Sequence, residues 1–210
     1  MEIKTIMCGN ADTMTETSRQ LFLTLDQEQL IQKFSLDADE ENIYISFLGQ
    51  TYAVNRVLGN VVIPGSFQPL PVDVVMAIYN VLTHSAEVQE LPVLSGTWYT
   101  LNQLGGLLAA GHTAKLQTPE VLKPFEGKVD ELRKVCEDMG GIPAKGGDVS
   151  YQLPVFPFLP MWFQYWDADD EFPASVQFLW DKDAEKLLHF EILHHTTAYI
   201  ESLLANLVSK

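Results

Sequence analysis

Three observations predict an α+β fold: a single domain with a mostly antiparallel sheet built from hairpins, packed with helices. Short alternating or aromatic-rich runs at 43–48, 51–54, 161–166 and 174–180 are bounded by turn residues, and no strand–helix–strand rhythm joins them. Apolar residues recur at helical spacing in the stretches between them. The 210 residues are 47% hydrophobic and 20% charged, which suits one sizeable core.

Taken in order, residues 1–25 read as an N-terminal segment, partly helical around Thr15 to Leu23, and residues 26–210 as the single domain. Asp26 is a good N-cap for a helix to Phe34, with Gln29 at capping-box spacing. Ile43, Ile45 and Phe47 share one face of a strand. Gly49-Gln50 is expected to make a two-residue type II′ turn into a return strand at 51–54, with a third strand at Val61 to Ile63. Pro71 opens the next helix, whose apolar face is Val72, Val75, Met76, Tyr79 and Leu82. Residues 94–104 are compact and aromatic without a clear period. Thr118-Pro119-Glu120 is a helix start. Phe125, Val129, Leu132, Cys136 and Met139 make a helical stripe that Gly140-Gly141 ends. Residues 150–160 are extended and broken by proline, as in an edge or bent strand. The hairpin 161–180 follows, its loop at 167–173, where Phe172 and Pro173 are expected to tuck back onto the sheet. A helix from Phe190 to Val208 closes the chain, with Ile192, Thr196, Tyr199, Leu203 and Leu207 as its buried stripe.

The formal charge is −15, and residues 1–50 and 151–210 each carry −6 of it. Such a balance disfavours nucleic acid and anionic membrane as partners, because both need a clustered basic surface. It favours neutral or cationic partners, a protein or a small ligand. No stretch approaches the roughly 18 apolar residues of a membrane span, and no secretory pattern opens the chain. The two cysteines, Cys8 and Cys136, are too few for a disulfide scaffold, so reduced thiols and a cytoplasmic location are expected.

Signatures of nucleophilic catalysis and nucleotide binding are missing: there is no GxSxG, no GxxxxGK[ST] and no GxGxxG. His194 and His195 are adjacent, so on a helix they point about 100° apart and cannot chelate one ion as an i, i+4 pair does. His195 borders the apolar stripe and reads as a partly buried, hydrogen-bonded residue. His189 stands near the last helix start, while His84 and His112 look isolated.

The unusual feature is Trp166-Asp167-Ala168-Asp169-Asp170-Glu171-Phe172-Pro173, followed by Trp180-Asp181. Six acidic residues and no Lys or Arg lie between Lys145 and Lys182. Clustered carboxylates lower their energy by binding a cation, pairing with a distant base or projecting into water. A calcium loop starting at Asp167 fails, because its sixth and twelfth positions are Phe172 and Phe178.

With Leu188 and Glu191 added, this segment resembles the C-terminal signature of an uncharacterised prokaryotic family, the domain-of-unknown-function family numbered 3786. Its members look like W-x-x-D-E-E-F-P, then a strand ending L-F-D, then a final helix. Asp169, Asp170 and Glu171 fall on D-E-E, and Trp180 stands for the usual Phe before Asp181. Phe47-Leu48-Gly49 with Tyr52 and Val54 is similar to the family's early hairpin. Residues 94–104, with Gly96 and Trp98, are similar to its middle turn. The resemblance spans roughly 26–204. It implies anaerobic bacteria or archaea as a source and no established activity. Some members carry an iron–sulfur-like cysteine-rich segment, which two cysteines do not reproduce.

Three readings follow. In the first, the protein is an accessory or binding protein whose contact is the hairpin 161–181, through Trp166, Asp167, Asp169, Asp170, Glu171, Phe172, Trp180 and Asp181. In the second, Asp167, Asp169, Asp170 and Glu171, with Asp181, hold a divalent ion that activates water. In the third, Asp170, Glu171 and Asp181 are structural and cap backbone N–H groups. The sequence specifies no cofactor and no oligomeric state.

Overall fold

A computed structural model describes residues 11–105 and 122–209. The N-terminal half begins with two helices, α1 (Ala11–Thr24) and α2 (Gln27–Phe34). The Asp26 carboxylate accepts the Gln29 N–H at 3.1 Å and the Gln29 side-chain amide at 3.0 Å, so the expected cap is formed. An antiparallel sheet follows, made of β1 (Asp37–Ala38), β2 (Asn42–Phe47), β3 (Gln50–Asn55) and β4 (Val61–Val62), in that spatial order. Helix α3 (Val72–His84) then packs against α1. Phe22 of α1 and Val74 and Ile78 of α3 are all fully buried in the same core.

The C-terminal half holds β5 (Trp98–Thr100), α4 (Leu101–Gly105), α5 (Val129–Asp138), and then β6 (Ile142–Pro143), β7 (Val149–Phe156), β8 (Leu159–Trp166) and β9 (Ser175–Asp181). These strands form a second antiparallel sheet, ordered β5-β9-β8-β7-β6. Its centre is the hairpin β8–β9, where Phe163 faces Phe178 and Met161 faces Trp180. Pro154 sits where the β7–β8 register slips, which is where a residue without an N–H is tolerated. Helix α6 (Phe190–Val208) closes the chain and packs on α3 and α5. From Ile192 to Val208 none of its residues is exposed, so it is a core helix rather than a surface one. The two antiparallel sheets with their helices make an α+β fold, and no helix among the described residues is long and apolar enough to cross a membrane.

Several local expectations need correction. The β2–β3 turn is Leu48-Gly49, one residue earlier than expected, because Phe47 pairs with Gln50. Both turn residues have positive φ, 50° and 78°, which is a type I′ turn. Leu48 accepts a left-handed backbone there while its N–H donates to the Val155 carbonyl at 3.0 Å, tying this hairpin to β7. The α3 face is wider than its spacing suggested: Val74, Ile78 and Val81 are fully buried, while Val72 and Val75 are only half-buried. The buried face of α6 likewise includes Leu193, Ile200 and Leu204, and Leu203 and Leu207 are half-buried. Residues 98–100, which lacked a period, form β5. The helix start at Thr118 lies outside the described residues.

The α5 stripe and its stop match expectation. Leu132 and Cys136 are fully buried, and burial pushes the Cys136 thiol up to about 12. Gly140 has φ 77° and the Gly141 N–H donates to the Cys136 carbonyl at 2.8 Å, which is a Schellman stop.

Half-buried Glu201 on α6 is a flaw in this packing, since burial raises its carboxyl to about 7. The folded state therefore binds a proton that the unfolded chain has released above about pH 4.5. Stability from this group is full below that pH and is lost as pH rises through about 7. Glu201→Gln is expected to raise the melting temperature at pH 8 by a few degrees and to leave it unchanged near pH 4, read by thermal denaturation across that range.

Candidate functional site

The acidic motif occupies both ends of β9. At the far end, Trp180 and Asp181 are 0% exposed. The Trp180 indole donates to Thr197 Oγ1 of α6 at 3.0 Å. The Asp181 carboxylate collects the N–H of Gly96 at 2.7 Å, of Asp183 at 2.9 Å and of Ser95 at 3.2 Å, and the Ser95 hydroxyl at 3.1 Å. Burial works to raise this carboxyl, but the bonds from Asp183, Ser95 and Gly96 outweigh it and hold it below its ordinary value. One side chain thus fixes the turn before β5 and the turn after β9, and the pairing of Trp98 with Asp181 starts between them.

At the hairpin tip the carboxylates divide. Asp167 accepts the Tyr165 hydroxyl at 2.8 Å, its neighbour Ala168 N–H at 3.0 Å, and the Gly127 N–H just before α5 at 3.1 Å. Partial burial opposes ionisation, but the bonds from Tyr165, Gly127 and Ala168 win and keep the carboxyl below its usual range. Asp169 Oδ1 accepts the N–H groups of Glu171 and Phe172 at 2.8 and 2.7 Å, closing the loop on itself. Asp170 and Glu171 are exposed, and neither makes a side-chain hydrogen bond among the described residues. Phe172 is 66% exposed, so it does not tuck onto the sheet as its sequence position suggested. The inward carboxylates hold the loop shut, and the ring is left outside.

Between tip and sheet lies an open groove of about 600 Å³, lined by Asp148, Trp166, Asp167, Asp169, Phe172 and Gln177, among others. The structure brings Trp166, Asp167, Asp169 and Phe172 together here and leaves Trp180 and Asp181 in the core. Sequence reasoning assigned no role to Asp148, whose Oδ2 accepts the Asp167 N–H at 2.8 Å. The signal was available in the hairpin register, because pairing Val149 with Tyr165 sets Asp148 beside the loop. Among the described residues no group of three or more His, Cys, Asp or Glu side chains is placed to hold a metal ion, at this hairpin or elsewhere. His195 lies between helices, its Nδ1 3.9 Å from Oδ1 of buried Asp73 on α3. Cys8 and His112 lie outside the described residues.

The fold and this motif define a class: an α+β protein whose C-terminal hairpin is locked at both ends by aspartates. The chain belongs to the DUF3786 family, a domain of unknown function, whose family model matches residues 26–201. No curated protein and no solved structure matches it.

Removing the Asp181 carboxylate abolishes charge-assisted bonds from the N–H groups of Gly96, Ser95 and Asp183 and from the Ser95 hydroxyl, at a cost of about 3 kcal/mol. Asp181→Ala is therefore expected to lower the melting temperature by roughly 6–12 °C. Asp170→Asn with Glu171→Gln is expected to move it by about 1 °C at most. The depressed Asp181 carboxyl also makes stability fall as pH drops through its folded value, and Asp181→Asn removes that part of the acid slope.

Proposed function

We propose that the protein is a cytoplasmic accessory or binding protein that takes a cationic group in the acidic groove at the β8–β9 tip. The group is a lysine or arginine side chain of a partner protein, or the ammonium of a small amine. The observation that carries this reading is the groove's lining, which combines the carboxylates of Asp148, Asp167 and Asp169 with the rings of Trp166 and exposed Phe172. Carboxylates supply charge, and aromatic faces attract a cation with an additional 0.5 to about 2 kcal/mol. No Lys or Arg lies between Lys145 and Lys182 in the sequence, and the Arg133 guanidinium that reaches Asp148 is held on its main-chain carbonyl at 2.8 Å.

The backbone bonds of Asp167 and Asp169 favour this role rather than oppose it. A carboxylate has about four acceptor sites, so Asp167 with three donors and Asp169 with two each keep at least one for a ligand. Their geometry is fixed in advance, and little ordering entropy is lost on binding. The exposed Asp170 and Glu171 add a negative rim that steers a cation inward.

Titration with an arginine-rich peptide and with spermidine, followed by calorimetry, checks the reading. Binding is expected to weaken at least 5-fold in Phe172→Ala and in Asp148→Asn, and to fall as salt rises. The absence of binding at millimolar peptide and amine contradicts it.

A further inference from the structure

His84 and His189 look unrelated in the sequence, yet the fold sets them side by side, His84 at the end of α3 and His189 as the N-cap of α6. Their ring centroids are 5.9 Å apart and the planes are crossed at 87°. Both residues are exposed. We propose that this pair is a site for a divalent transition-metal ion, two imidazoles plus water, that staples the end of α3 to the start of α6. It is independent of the hairpin groove.

The ring spacing is the first support. A metal about 2.0–2.1 Å from an imidazole nitrogen is about 3.2 Å from that ring's centroid. Two rings on one ion are then about 5.2 Å apart at a tetrahedral angle and about 6.4 Å apart when opposed. The observed 5.9 Å lies inside that range, and unlike His194 and His195, whose rings are 5.7 Å apart on adjacent positions of one helix, these rings come from two separate elements.

Orientation is the second. His84 Nε2 lies 2.8 Å from the Glu185 carbonyl, which can only accept, so Nε2 carries the proton and Nδ1 keeps its lone pair. A ring N–H donated to a backbone carbonyl is how metal-binding histidines are commonly held. The position of His189 is set by its main-chain N–H, which donates to Asn80 Oδ1 of α3 at 2.8 Å. Its Nδ1 accepts the Glu191 N–H at a long 3.4 Å. Coordination through Nε2 moves the ring proton to Nδ1 and exchanges that weak cap for a metal bond. Glu185 and Glu191 flank His189 in the sequence, and the −15 charge of the chain favours a cation at its surface.

Zinc and nickel chlorides are the probes, tested on the whole chain by calorimetry and thermal melting at pH 7.5. The expected result is one equivalent bound and a melting temperature raised by roughly 5 °C at millimolar metal, as about 100-fold saturation gives. His84→Asn and His189→Asn are each expected to weaken binding at least 10-fold, while His194→Asn leaves it intact. Asn is itself a good N-cap, so His189→Asn removes the ligand without removing the cap. Binding absent from the wild type at millimolar metal, or unchanged in either Asn variant, overturns the site.

Discussion

The two turns that frame β5 and β9 at the C-terminal end of this molecule depend on one buried carboxylate. Asp181 is out of solvent, where an unpaired charge costs several kcal/mol. Three backbone N–H groups and a hydroxyl converge on it. Because those donors come from residues 95–96 and from 183, the charge joins segments far apart in the chain. It starts β5 at the sheet edge and turns the chain from β9 toward α6. Next to it, Trp180 fills the core and bonds Thr197. One dipeptide thus joins the sheet to the final helix through the Trp180–Thr197 bond and, through Asp181, to the segment before β5.

The same chemistry recurs at the tip, with a different result. Asp167 ties the loop to the approach to α5, and Asp169 ties the loop to itself. Each carboxylate used inward fixes backbone that would otherwise be free, and leaves Asp170, Glu171 and Phe172 facing outward. The acidic motif is thus neither wholly architectural nor wholly a surface. Its inner members, Asp167 and Asp169, line the groove together with outward-facing Phe172. An architectural role for Asp181 and a ligand role for the tip are compatible, since they use opposite ends of one strand.

Much of this was legible in the residues. The aromatic runs on either side of 167–173 place the hairpin, Asp26 places the start of α2, and the Phe125-to-Met139 spacing with Gly140-Gly141 places α5. What was not legible depends on long-range partners. Trp98 to Thr100 carries no period of its own and becomes a strand only because β9, some eighty positions later, offers an edge. Leu48 takes a conformation usually left to glycine because Val155 receives its N–H. The inward and outward carboxylates of the motif cannot be told apart by residue type, since Asp167, Asp169 and Asp170 are identical until Tyr165 and the N–H groups of Gly127 and Phe172 are positioned. The approach of His84 to His189 needs the packing of α3 on α6, which neither helix announces.

Native-state amide hydrogen exchange measures the Asp181 lock directly, in the unmodified protein. If the carboxylate holds both turns, the amides of Gly96 and Asp183 exchange as slowly as the ladder amides of β9 and speed up together in Asp181→Asn. Exchange of these amides at the rate of an open loop in the wild type would contradict the account.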